Sequence, residues 1–77
     1  MKIVDESSII DSKSFRMRPG EFPHRIVLRY LPDSKAPYST HYENLKVEND
    51  ELHHYSFYLG RYFSSLEEAR HDFEYRQ

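Results

Sequence analysis

Five histidines, His24, His41, His53, His54 and His71, are the side chains of this 77-residue sequence whose type most invites chemistry. A structural zinc site needs four ligands at characteristic spacings, a catalytic site three and an open position. No histidine interval here has such a spacing. Adjacent His53 and His54 would point to opposite faces of a strand. There is no cysteine to add a thiolate or a disulfide. No metal is expected, and the histidines are read as surface groups. Nucleophilic catalysis has as little to stand on, because no serine lies in a glycine-flanked elbow. Gly20 and Gly60 are the two glycines, too few for a phosphate-cradling loop. Glu67, Glu68, Asp72 and Glu74 read as the solvated face of a helix. The sequence therefore predicts no enzymatic activity and no cofactor. It does offer Arg25, Arg29, His41, His54 and Tyr58 as one candidate binding face. Arginine forks suit phosphates and tyrosine can stack on bases.

Those five residues need strands to bring them together. HRIVLRYL, His24 to Leu31, alternates apolar Ile26, Leu28 and Tyr30 with Arg25, Val27 and Arg29, which is the period of a half-buried strand. Pro32 ends it. Tyr38 to Leu45 repeats the alternation, and a third strand runs from about His53 to Tyr62 or Phe63. Asn49-Asp50 makes a two-residue hairpin tip between them. That tip sets Tyr42 opposite Phe57, Thr40 opposite Leu59, His41 opposite Tyr58 and Glu43 opposite Ser56. The first hairpin pairs Tyr30 with Tyr38, Leu28 with Thr40 and Ile26 with Tyr42. The predicted inner face holds Ile26, Leu28, Tyr30, Tyr38, Thr40, Tyr42, Tyr55, Phe57 and Leu59. The predicted outer face holds the five candidates. Strand His24–Leu31 is left as a free edge, open to pairing with a second copy.

After Phe63, Ser65 followed by Glu68 forms a capping box, and Glu67 and Glu68 suit the positive end of a helix dipole. Leu66, Ala69 and Phe73 recur at helical spacing and should lie on the inner sheet face. The expected fold is α+β: a three-stranded antiparallel β-meander packed on one C-terminal α-helix, with an irregular N-terminal arm. Residues 1–22 are expected to be an arm and loop, partly ordered at best, because Ile3-Val4 and Ile9-Ile10 are isolated apolar pairs and FRMRPGEFP carries turn residues. Residues 23–77 are the expected compact domain. Whether Gly60 marks a bulge decides which way Arg61 and Tyr62 point.

The junction Phe63-Ser64-Ser65-Leu66-Glu67-Glu68-Ala69, with Phe73 after it, resembles the strand-to-helix junction of Apetala-type DNA-binding domains, found in ethylene-response factors and, in related form, in phage integrases and homing endonucleases. The resemblance covers about fifteen residues and implies three antiparallel strands on a C-terminal helix, with the free sheet face on DNA. Two departures stand out. Gly60 lies one residue further upstream of the aromatic than in that pattern, and tryptophan is absent. No contact residue of that family maps onto this sequence.

Charge and composition narrow the partners. The formal net charge is −2, which opposes nonspecific binding to nucleic acid. Four arginines against Glu21 make residues 15–31 locally basic, whereas the remainder toward the C-terminus is acidic. No apolar run is long enough for a membrane span, and a soluble cytoplasmic protein is expected. Two functions follow as expectations. The first is a non-catalytic protein-interaction module, an adaptor or inhibitor of the phage or mobile-element accessory type. The second is a nucleic-acid-binding domain that uses the sheet face opposite the helix.

Overall fold

The computed structural model describes residues 1–77, arranged as five strands and one helix. The strands are β1 (Lys2–Ile3), β2 (Ile9–Arg16), β3 (His24–Tyr30), β4 (Tyr38–Glu48) and β5 (Glu51–Phe63), and the helix is α1 (Leu66–Tyr75). They form one sheet in the order β1-β5-β4-β3-β2. All neighbours are antiparallel except β1 and β5, which run parallel through Lys2–Glu51 and Ile3–Leu52. The three-stranded antiparallel meander with an irregular N-terminal arm is thus replaced by a five-stranded mixed sheet. The expected free edge, His24–Leu31, is interior and lies between β2 and β4, so a second copy cannot pair along it. The reason lies in IIDSKSFR: as an outermost strand it buries little side-chain surface, so it carries no clear alternation and is recruited by its backbone. Pro19-Gly20, with Gly20 at φ 81°, belongs to the turn between β2 and β3.

Residues 4–8 carry the chain from the β1 side of the sheet to the β2 side, over the face opposite α1. Val4 N–H donates to the Leu52 carbonyl (2.9 Å) and Tyr30 N–H donates to the Ser8 carbonyl (2.9 Å). Between those points Glu6 pairs with Arg25, and Arg29 Nε donates to Ser8 Oγ at 3.3 Å. Val27, Leu45 and Leu52 are fully buried on that side. Each such aliphatic side chain contributes about 1.5–3 kcal/mol on burial.

The predicted β3–β4 register holds, with Ile26–Tyr42, Leu28–Thr40 and Tyr30–Tyr38 in place. The Asn49-Asp50 tip also holds. Both residues have positive φ, 52° and 60°, as a type I′ turn requires. The β4–β5 register follows from that tip only as far as Leu45–His54. Asn44 then pairs with Ser56, leaving Tyr55 as an extra residue, and Thr40 pairs with Arg61, leaving Leu59 and Gly60 opposite His41. Each inserted residue shifts the alternation. Phe57 therefore turns to the outer face opposite Glu43, and Tyr58 turns to the helix side opposite Tyr42. Leu59 and Tyr55 leave the inner face, and Phe63 joins it.

The core on the helix side consists of Ile26, Leu28, Ala69 and Phe73, flanked by Tyr38, Tyr42 and Phe63. Ser65 caps α1 as expected, its Oγ accepting from Glu68 N–H at 3.3 Å. Leu66 is more exposed than its place on the stripe implied. The helix is tied to the sheet by Asp72, which accepts from Thr40 Oγ1 (2.6 Å), Arg61 Nη1 (2.7 Å) and Arg76 Nε (3.1 Å). Burial pushes the Asp72 carboxyl upward, but the hydrogen bonds from Thr40, Arg61 and Arg76 prevail and hold it below the usual carboxylate range. Arg76 Nη2 also donates to the Leu59 carbonyl at 2.6 Å, so the chain just after α1 pins the second bulge. Leu59 itself sits at φ 51°, a conformation that costs an L-residue roughly 1–2 kcal/mol.

Gly60 is required for space. A Cβ there would lie 2.6 Å from His41 Cε1 and 2.8 Å from Nδ1, and the ring, being buried, has nowhere to retreat. Gly60→Ala is expected to lower stability by about 1–3 kcal/mol through overpacking. Denaturant unfolding checks this, and a loss below about 0.5 kcal/mol would show that the ring can move aside.

Candidate functional site

The five residues expected on an open outer face meet different fates. Arg25 is 3% exposed; its Nε donates to Glu43 Oε1 at 2.7 Å and its Nη1 pairs with Glu6. Glu43, 2% exposed, is completed by His54 Nδ1, which donates to its second oxygen at 2.7 Å. Arg29 lies over the Phe57 ring at 4.2 Å. His41 is 4% exposed and packs between Phe57 (4.9 Å) and Tyr62 (5.5 Å, edge-on). The structure therefore brings Arg25, Arg29, His41 and His54 together, with Arg25 and Arg29 held by residues 4–8, His41 buried beside them and His54, paired with Glu43, at the exposed rim of the cluster. Tyr58 is on the other side of the sheet, stacked on Tyr42 at 5.4 Å. A strong cation buried with its counter-ion is not free to grip an incoming phosphate.

His41 shares a hydrogen bond with Ser39 Oγ, Nε2 to Oγ 3.1 Å. This is the spacing of a nucleophile and its base, yet both side chains are buried and no substrate carbonyl can reach them. Burial, then the positive charges of Arg29 and Arg76, push the His41 pKa down to about 4, against a smaller opposing pull from Glu43. His41 is thus neutral in the folded protein. Between its unfolded value of 6.5 and about 4, the unfolded chain takes up a proton that the folded chain refuses. Stability must then fall as pH drops through that window, and the contribution is fully lost below it. His41→Asn is expected to show a shallower fall across this window in urea melts. Parallel pH profiles for the two proteins would refute a neutral, buried His41.

The open part of the sheet lies on the helix side, beyond the end of α1. Two residue rows cross four strands there. Lys13, Ile26, Tyr42 and Tyr58 form one; Arg16, His24, Asn44 and Ser56 form the next. Alternation along β4 places Lys46, opposite His53, on the same side. Asn44 Nδ2 reaches Ser56 Oγ at 3.4 Å. A groove of about 450 Å³ runs between these rows and the end of α1, lined by Lys13, Arg16, His24, Tyr42, Tyr58 and Arg76, among others. Its lining holds a single carboxylate side chain, Glu74. Lys13 Nζ donates to the Glu74 carbonyl (2.9 Å), and the Arg76 guanidinium lies 5.0 Å from the Tyr42 ring centroid. Arg16 takes part in none of the ion pairs. Tyr58 is 42% exposed. A second aromatic pair, Phe22 stacked on Tyr55 at 4.8 Å, is also well exposed, and Phe22 shares a shallow depression with Lys46.

Sequence reasoning reached Tyr58 but set it on the wrong face, and it missed Arg16, Lys13 and His24 as neighbours of Tyr42. The bulge at Tyr55 hid the Tyr42–Tyr58 pair, and Arg16 lay in a stretch read as loop. A usable signal was present in the basic character of residues 15–31. No group of histidine, aspartate and glutamate side chains could hold a metal ion, and no helix is long and apolar enough to cross a membrane. Comparisons with protein-family models, with curated proteins and with solved structures find no match to this chain.

Proposed function

We propose that this protein is a small non-catalytic binding module whose recognition surface is the helix-side face of the sheet beyond α1. One observation carries this reading: the two rows from Lys13 to Tyr58 and from Arg16 to Ser56 contain cations, amides, hydroxyls and an exposed ring but no carboxylate. Such a surface can grip a partner by hydrogen bonds and stacking, and it lacks a nucleophile-and-base pair open to solvent. The Ser39–His41 pair, which has the right spacing, is sealed inside.

A protein partner, as an adaptor or inhibitor would have, is supported by a separate feature. Beyond Leu52, β1 no longer covers the edge of β5, and on that stretch Leu59 is 68% exposed and Tyr62 is similarly bare. Exposed aromatic and aliphatic groups along a strand edge that β1 leaves uncovered suit capture of an extended strand, although the two bulges, and Arg76 on the Leu59 carbonyl, limit its length.

Affinity capture from the native host, with protein and nucleic acid both followed in the eluate, tests the reading. Arg16→Glu/Lys46→Glu is expected to lose what the unmodified protein retains, with its thermal melt unchanged. If the double variant retains the same molecules, the helix-side face is not the recognition surface. Loss caused instead by Leu59→Asn/Tyr62→Ser would move recognition to the β5 edge.

A further inference from the structure

We infer that the helix-side face takes single-stranded nucleic acid, with one base on Tyr58 and backbone phosphates held by Arg16 and Lys46. This inference rests on the surface assigned above and names its ligand.

Three observations point to that chemistry. The first is the exposed Tyr42/Tyr58 stack. It leaves ring surface of Tyr58 open, and every base has a face to stack on it, which makes an aromatic platform a sequence-tolerant way to hold a single strand. The second is the placement of charge. Arg16 has no counter-ion, and Lys46 has only the exposed Glu48 at 3.1 Å, a pairing weak enough to exchange for a phosphate. His24, beside Arg16 in register, and Asn44 and Ser56 add donors in the row next to the Tyr42/Tyr58 stack. The third is shape. The patch is about 14 Å across, three inter-strand gaps of ~4.8 Å, which suits a short run of unstacked nucleotides. A duplex fits poorly. α1 rises on the same face, and a helix about 10 Å in diameter stops a double helix from lying flat on the sheet. The formal net charge of −2 likewise gives no long-range pull toward duplex phosphates, so binding depends on the local groups and on stacking.

The closing experiment is fluorescence anisotropy with labelled oligothymidylate and oligouridylate of about twelve nucleotides and a duplex of matched length. Micromolar binding to the single strands is expected in low salt. The slope of log K against log salt should be near −1.4, for about two phosphates. Tyr58→Leu, which keeps an apolar group on Tyr42 but removes the platform, should weaken binding by about 5- to 100-fold. Arg16→Ala, at an exposed and unpaired position, should bring the salt slope closer to zero by about 0.7. The inference is overturned by no single-strand binding at micromolar protein, by tighter binding to the duplex, or by both variants binding like the parent. The outcomes also separate the two levels. If single strands fail to bind but Arg16→Glu/Lys46→Glu still loses the captured partner, the ligand is wrong and the surface stands. If that double variant changes nothing either, both fail.

Discussion

Arg25→Met is expected to destabilise the protein by about 3–5 kcal/mol, enough to unfold a domain this small. The guanidinium is buried between Glu43 and Glu6, and Glu43 is itself buried. Removing Arg25 leaves the Glu43 carboxylate, itself 2% exposed, with His54 as its remaining side-chain partner. The cost is the uncompensated charge far more than the missing bond. A paired change makes the point sharper. Arg25→Met with Glu43→Leu removes both charges and fills similar volume, so it should recover most of the loss. Urea unfolding of the single and double variants checks this. A single variant as stable as the parent would mean that Glu43 is solvated and the outer face more open than it is here.

Phe73→Ala comes next, with an expected loss of about 3–5 kcal/mol. Phe73 is buried in the small core with Ile26, Leu28 and Ala69, and Lys13 Nζ lies 5.1 Å from its ring centroid. So few large side chains fill this layer that its removal leaves a cavity that the remaining residues cannot close. From the sequence, Phe57 and Phe73 look equivalent. In the structure Phe57 is half-buried on the outer face among His41, His54 and Arg29, so Phe57→Ala should cost clearly less. Thermal melts of the two variants measure the order. Equal losses would restore Phe57 to the core and undo the bulge at Tyr55.

What could be read in advance, and what could not, divides along a physical line. The capped helix, the β3–β4 register and the Asn49-Asp50 tip all depend on local rules: a serine cap, strict alternation, left-handed turn residues. Those rules act over a few residues and leave their mark in them. The rest depends on contacts distant in sequence. Lys2–Ile3 is a strand because Glu51–Leu52 is there to pair with it. β5 carries two extra residues, Tyr55 and one of the Leu59–Gly60 pair opposite His41, and the second bulge is held by contacts distant in sequence: the His41 ring against Gly60 and the Arg76 guanidinium on the Leu59 carbonyl. Nothing within Tyr55–Phe63 announces an inserted residue, and one insertion was enough to exchange Phe57 and Tyr58 between faces. The candidate site suffered most, since a binding face is defined by which way side chains point. Arg25, Arg29, His41 and His54 do share one sheet face, but how open that face is depends on residues 4–8, whose course over the sheet is set by pairing at both ends.

The course of residues 4–8 also has a history in time. The β3–β4 and β4–β5 hairpins close short loops, while the β1–β5 pairing, Lys2 with Glu51, closes one of about fifty residues. Short closures form first and long ones wait for something to close upon. The N-terminal segment should therefore latch onto an already assembled sheet, after the rate-limiting barrier. Ile3→Ala is expected to speed unfolding while leaving refolding nearly unchanged, the signature of a contact absent from the transition state. Stopped-flow chevrons would show it, and a slowed refolding arm would put the latch early instead. A latch that forms last is also the first to open. Brief exposure of Val27, Leu45 and the Arg25–Glu43 pair then becomes the route by which this protein begins to come apart.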